Sequence, residues 1–229
     1  FINIKMWHRI SYLFYLVVML LLVGVEFFGV AASGSTRWID LYVFNLQPSE
    51  LMKVALIIFL ARYYNRIPYR DVNKLKYMIQ PFVALVIPVV LVFIQPDLGT
   101  SILIALGGVA VIWLAGIRIK YFVYSFFSFV IFMPFVIAFL QPYQKLRILT
   151  FLDPERDPLG AGYQIIQSKI AVGSGGLLGK GFLKGSQSYL DYLPEKHTDF
   201  IFTLFSEEFG FVGSIFLLIV FALIIYRII

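Results

Sequence analysis

Apolar residues fall in blocks about 20 long with few charges inside them, five in succession and a sixth after a long polar interval. A block of that length crosses a hydrocarbon core about 30 Å thick as an α-helix. The pattern predicts spans over residues 10–32, 48–64, 78–94, 98–116, 121–140 and 200–226. Pro48 suits the first turn of the second span, where its missing N–H has no helical partner. Pro81 falls in the first turn of the third, and Pro88 inside it predicts a kink. Residues 31–47 read as a short loop, and Gln95-Pro96-Asp97-Leu98-Gly99-Thr100 as a tight turn. Residues 142–199 form the one long polar segment. The predicted fold class is an all-α integral membrane protein: a polytopic helical bundle of about six transmembrane helices with one long extracytoplasmic loop. Residues 1–229 read as a single membrane domain, with no repeat and no linker.

Composition agrees. The chain is 60% apolar and 14% charged, whereas soluble domains are about half apolar and a quarter charged. It has no cysteine, which excludes a disulfide framework and a Cys-based metal site. A net charge of +6 is read as orienting the protein in a bilayer, not as a nucleic-acid footprint. Lys5 and Arg9, the cluster from Arg62 to Lys76, Arg118 with Lys120, and Arg227 occupy alternate ends of the spans. These basic ends are expected in the cytoplasm. Residues 34–46, 95–100 and 142–199 are then outside, with Trp38 and Tyr42 suited to an interfacial belt. The chain begins at Phe1 and stops at Ile229 directly after an apolar run, and it is read as an internal piece of a longer protein.

Polar residues inside or beside apolar spans are the candidates for chemistry, because ionisable groups are costly at membrane depth. Glu26 is close enough to a span end to reach the interface. Gln47, Glu50 and Lys53 follow one another at i, i+3, i+6. Glu50 and Lys53 can neutralise each other, as a site or as a structural pair. Asp199, Thr203 and Glu207 are spaced to share a helix face. Asp199 stands at the junction of the long loop and the last span, where a helix-terminal role competes with a functional one. Glu207 lies about 12 Å further down the helix at 1.5 Å per residue, too deep for a sugar.

The glycine-rich run from Gly173 to Gly181 is not a P-loop: Ser174 stands where the first glycine is required, and Gly181 where Ser or Thr should follow the lysine. Its amides, with Lys169, Lys180 and Lys184, are a candidate pyrophosphate cradle. The competing reading is a loop folded over the membrane surface. His197 with Asp191, Glu195 and Asp199 lacks the paired-His spacing of zinc. A divalent cation of the magnesium or manganese kind needs only one or two carboxylates plus substrate phosphates, and no other cofactor is expected.

Several long motifs occur in order. They are Arg37-Trp38-Ile39-Asp40-Leu41, Gln47-Pro48-Ser49-Glu50 with Lys53, Gln95-Pro96-Asp97-Leu98-Gly99-Thr100-Ser101, and Leu152-Asp153-Pro154-Glu155-Arg156-Asp157-Pro158-Leu159-Gly160-Ala161-Gly162-Tyr163-Gln164. Gln167-Ser168-Lys169-Ile170-Ala171, Gly173-Ser174-Gly175-Gly176-Leu177 and Leu193-Pro194-Glu195-Lys196-His197-Thr198-Asp199-Phe200-Ile201-Phe202 follow. Together they resemble the SEDS proteins (shape, elongation, division, sporulation), the FtsW/RodA/SpoVE family of bacterial envelope proteins. Lys169 and Gly179-Lys180-Gly181 are similar to the elongation type. The family has about ten helices, and this chain matches its third through eighth.

The resemblance implies a peptidoglycan glycosyltransferase. It would polymerise lipid II, a disaccharide-pentapeptide on undecaprenyl pyrophosphate, into glycan strands at the outer face of the bacterial cytoplasmic membrane during cell elongation and rod-shape maintenance. It implies Asp199 as the catalytic residue, with Glu50 and Lys53 lining a cavity. Gln47, Lys169, Lys180, Lys196 and His197 complete the candidate substrate site. The implied partners are lipid II, the growing glycan strand, a class B penicillin-binding protein that cross-links the product, and membrane proteins of the elongation complex. A lipid II flippase or transporter and a non-catalytic scaffold for the penicillin-binding protein are the alternatives.

Overall fold

The computed structural model describes residues 4–32, 35–40, 45–95, 97–139, 142–158, 160, 162–185 and 199–228. They form two compact units, Phe1–Pro134 and Phe135–Ile229. Among the described residues there are eight α-helices and three short strands. Helices Ile4–Phe28, Leu75–Ile94 and Ile201–Ile228 are each long and apolar enough to cross a membrane, and Leu98–Leu114 and Ile119–Phe135 are shorter apolar helices. The protein is an all-α polytopic membrane protein.

In the first unit, α1 (Ile4–Phe28) leads into an antiparallel ribbon of β1 (Val30–Ala32), β2 (Ser35–Asp40) and β3 (Asn45–Leu46). Val30 pairs with Trp38 and Ala32 with Ser35, while Ile39 pairs with Leu46 and Asp40 with Asn45. The expected loop at 31–47 is therefore a small sheet. β1 and β3 are two or three residues long, and β2 (Ser35-Thr36-Arg37-Trp38-Ile39-Asp40) does not alternate polar and apolar residues, so the period-2 pattern that reveals a strand is missing. Next come α2 (Pro48–Asn65), α3 (Leu75–Ile94), α4 (Leu98–Leu114) and α5 (Ile119–Phe139), which crosses the boundary between the units.

The core of this unit is built around α2. Met52, Ala55, Leu56 and Leu60 are fully buried at helical spacing, against Val18 and Leu22 of α1, Leu85 and Val92 of α3, and Ile104 of α4. Between membrane helices, packing and hydrogen bonds provide the adhesion that water-driven burial gives soluble cores. Tyr15 donates to the carbonyl of Ala84 at 2.8 Å, and the Gln95 side-chain amide donates to the carbonyl of Leu22 at 2.8 Å. At the basic end, the Arg62 guanidinium donates to the carbonyl of Arg9 at 2.8 Å and lies 4.2 Å from the Tyr12 ring centre. Asn73 joins the 66–74 turn to the next one, donating to the carbonyl of Gly116 and accepting from the Arg118 amide. Helix α3 starts three residues earlier than its apolar run, so Pro81 lies beyond the first turn, and the helix continues through Pro81 and Pro88.

In the second unit, the long polar segment is largely structured. It holds α6 (Pro142–Leu152), a 3₁₀ turn (Pro154–Arg156) and α7 (Tyr163–Ser174), which packs on α8 (Ile201–Ile228). Helix α8 is broken at Gly210, where φ is 66° and ψ is −164°. Residues 211–228 alone rise about 27 Å at 1.5 Å per residue, close to the thickness of a hydrocarbon core. The 201–209 piece is a separate helical segment ahead of that span.

Candidate functional site

The polar cluster of the first unit gathers where the ribbon meets the starts of α2 and α4. Asp97 caps α4, accepting from the Thr100 amide at 3.1 Å. Such a side-chain acceptor satisfies one of the amides that a helix start leaves without a partner. The other carboxylate oxygen lies 3.5 Å from the Arg37 guanidinium and accepts from the Gln47 side-chain amide at 3.3 Å. Arg37 also donates to the carbonyl of Gln95 at 3.2 Å. Asp97 thus ties the ribbon, the residue preceding α2 and the first turn of α4 together. The sequence reading saw a tight turn there. An Asp directly ahead of an apolar helix start was the signal for the cap, but nothing local pointed to Arg37.

One turn into α2, Lys53 Nζ sits 2.8 Å from Glu50 Oε2. Their side chains keep 30% and 54% of their exposure. The sequence-predicted pair therefore forms and remains accessible. Glu26 is exposed in the last turn of α1.

In the second unit, Asp199 is exposed in the turn just ahead of α8. Thr203, one turn on, is buried, and its hydroxyl lies 2.8 Å from that of Ser168 on α7. Glu207, two turns on, is fully buried and pairs with Lys180 Nζ at 2.8 Å. Of the face predicted from 199, 203 and 207, Thr203 meets α7 and Glu207 the glycine-rich segment, while Asp199 lies ahead of the helix and is exposed. Lys169 is exposed on α7. Lys196, His197, Asp191 and Glu195 lie outside the described residues. Among the described residues no three His, Asp or Glu side chains gather as a metal-binding group.

The glycine-rich segment has a different use from a phosphate cradle. The Gly175, Gly176 and Gly179 amides bond to the carbonyls of Ala171, Gly173 and Gly175, and those of Lys180 and Gly181 to the carbonyls of Glu207 and Glu208. In return, the Phe211 and Val212 amides donate to the carbonyls of Gly176 and Leu177. These five amides, committed to carbonyls, do not form an open anion nest. Residues 176–181 are a strap across the break in α8, supplying partners to the carbonyls before it and the amides after it. Two glycines make this approach possible. Gly179 has φ 79°, and a Cβ there would meet the carbonyl of Glu208. Gly210 has φ 66°, and a Cβ there would meet the Gly179 amide nitrogen and, at 2.7 Å, the carbonyl oxygen of Leu177. Ser214 Oγ lies 2.8 Å from the carbonyl oxygen of Gly210 and 2.9 Å from Ser206 Oγ, closing the break on its inner side.

Comparison with known proteins agrees with the motifs. The peptidoglycan glycosyltransferase MrdB of Escherichia coli K12 is 47% identical over 216 residues, covering 93% of this chain and 57% of the relative. The probable peptidoglycan glycosyltransferase FtsW of Wigglesworthia glossinidia brevipalpis is 38% identical over 213 residues, covering 93% and 55%. The chain thus spans a little more than half the length of these relatives. A solved structure, described as showing structural coordination of polymerization and crosslinking by a peptidoglycan synthase complex, matches with a TM-score of 0.75 at 32% identity, over 99% of this chain and 62% of that one. The profile of the FtsW/RodA/SpoVE family, described as "Cell cycle protein", matches residues 1–229, and the chain belongs to that family.

Proposed function

We propose that this chain is the central part of a peptidoglycan glycosyltransferase that polymerises lipid II at the outer face of the bacterial cytoplasmic membrane during elongation. The observation that carries the reading is Asp199: an exposed carboxylate just ahead of a helix that α7 and the strap hold in place, in a family whose relatives here bear that activity in their names. The higher identity to MrdB than to FtsW supports the elongation role. The synthase complex among the structural matches supports a cross-linking penicillin-binding protein as partner.

The chemistry asks little of the protein beyond a base and a cationic surface. The 4-hydroxyl oxygen of one sugar attacks the anomeric carbon of another, forming the new glycosidic bond. The bond to the lipid pyrophosphate breaks, and its electron pair leaves with the pyrophosphate. Asp199 takes the hydroxyl proton, a role worth roughly 10²–10⁴ in rate. Direct displacement inverts the anomeric centre. Exposed Lys169 and Lys196 are the candidates to meet the pyrophosphate charge, and a divalent cation bound with the substrate would serve the same end. Glu50 and Lys53 belong on a wet cavity wall, since an exposed carboxylate facing lipid is costly.

The test is Asp199→Asn in the full-length protein. Lipid II binding and melting temperature should hold while polymerisation falls by about two orders of magnitude. Near-normal turnover would end the assignment of the base, and lipid II scrambling without polymerisation in the unmodified protein would favour a transporter. The proposed sidedness is tested by cysteine labelling in intact cells, since the chain has no cysteine of its own. A cysteine at Leu178, which is 82% exposed, should label from outside. One at exposed Arg70 should label only after permeabilisation. Asn73 is a poorer probe position because its side chain joins two turns. Labelling in the reverse pattern would invert the topology.

A further inference from the structure

The break at Gly210 leaves the 201–209 segment without the continuous helix that would otherwise fix it. The strap restores that hold. The Lys180 and Gly181 amides reach the carbonyls of Glu207 and Glu208, each at 3.0 Å. The Phe211 and Val212 amides reach back to Gly176 and Leu177 at 2.9 and 3.1 Å. These bonds depend on backbone alone, so almost any sequence able to follow the path would make them. The charged contact between Lys180 and Glu207 is the part that depends on particular side chains. Glu207 lies on the face of α8 that also carries Thr203, and Asp199 stands in the turn just ahead of that helix. It is 1% exposed, with a lysine 27% exposed as its counterion.

We propose that Lys180 and Glu207 are positioning residues for Asp199. The pair latches strap 176–181 onto the first segment of α8, and with the Ser168–Thr203 contact it sets where the Asp199 carboxylate stands. The proposal rests on Asp199 being the general base. It gives Lys180 a role other than direct contact with pyrophosphate, and the two roles predict different kinetics. A latch acts on turnover, because a base displaced by about 1 Å can lose on the order of 100-fold in rate while the substrate still binds. A phosphate ligand acts on binding.

The experiment uses the full-length protein with its penicillin-binding partner, purified lipid II as substrate, and the variants Lys180→Met, Glu207→Gln, the two combined, and Lys180→Arg. Each single neutral variant is expected to lower kcat roughly 10- to 100-fold with KM within about twofold. The combined variant should lose no more than the worse single one, because the two side chains act as a unit. Lys180→Arg should recover most of the turnover. Hydrogen exchange at the Phe211 and Val212 amides should quicken in the single variants, reporting a loosened strap.

Where Lys180→Met does not fold, the combined variant carries the test, since it removes both charges of the pair. Wild-type kcat in the combined variant overturns the proposal. So does a raised KM in Lys180→Met beside an unaffected Glu207→Gln, which would make Lys180 a substrate ligand. Asp199→Asn in parallel separates the two readings. Near-normal turnover there ends the general-base reading and the positioning role with it. Wild-type kcat in the combined variant beside an inactive Asp199→Asn ends the positioning role alone.

Discussion

Among the described residues, two Lys–Glu pairs have the same 2.8 Å separation and opposite surroundings. Lys53 and Glu50 are three residues apart on one helix, with side chains 30% and 54% exposed. Lys180 and Glu207 are 27 residues apart and join a strap to a broken helix, with side chains 27% and 1% exposed. Coulomb attraction at equal distance differs several-fold between watery and protein-like surroundings, but so does the cost of removing the charges from water. The contact distance therefore says nothing about what either pair does. Exposure and connectivity do: the local pair is part-exposed on a single helix, and the distant pair joins two segments.

The largest effect expected from this contrast is on the buried side. Lys180→Ala removes a counterion from a fully buried carboxylate and should destabilise the protein by about 3–5 kcal/mol. Glu207→Ala should cost less, because the partly exposed lysine can turn its ammonium towards water. Replacing both by Met and Gln should restore most of the stability. Thermal denaturation of the full-length protein in detergent would order the three. Equal melting temperatures for Lys180→Ala and Glu207→Ala would show that the carboxylate is not the costly partner.

A smaller effect belongs to the backbone on which that pair sits. Gly210→Ala places a side chain at φ 66° against the strap. With ψ at −164° this is a backbone region essentially confined to glycine, costing roughly 1–3 kcal/mol for any other residue, and the contact with Leu177 adds to it. An α8 able to close into a continuous helix would instead be stabilised by alanine. A rise in melting temperature for Gly210→Ala would therefore break the account of the strap, and with it the contrast between the pairs.

What could be read from the sequence follows the reach of each interaction. The start of α2 at Pro48 and the α3–α4 boundary are set by proline position and apolar period within a few residues, and both were legible. The Glu50–Lys53 pair was legible for the same reason. The burial of Glu207 on the face shared with Thr203 agrees with their helical spacing, whereas the break at Gly210 was not legible, because a single glycine in an apolar run does not announce one. Lys180 looked like a phosphate ligand because a lysine among glycines suits that chemistry; its partner lies 27 positions away. Helices α6 and α7 were hidden in a segment whose polar composition suggested a loop. The exposed position of Asp199 ahead of α8 matches the junction inferred from sequence, while Asp191, Glu195, Lys196 and His197 lie outside the described residues.

The smallest expected effect on stability falls on the exposed pair, and it sharpens the comparison most. An ion pair three residues apart on an exposed helix face contributes only about 0.3–0.5 kcal/mol. Glu50→Ala also removes an acidic residue from the first turn of α2, where it complements the helix dipole by about 0.3–1 kcal/mol. Lys53→Ala has no such second loss and adds a better helix former. Lys53→Ala should therefore leave the melting temperature within about 1 °C of the parent, and Glu50→Ala should lower it slightly more. Polymerisation by the full-length protein should nevertheless fall severely in both, if the pair lines the substrate cavity. A pair kept only for structure would show the opposite order, with activity tracking the small change in stability. Measuring both quantities on one preparation decides between these outcomes. Wild-type turnover in either variant would make that residue a bystander and leave the buried pair as the only one of the two with a consequence.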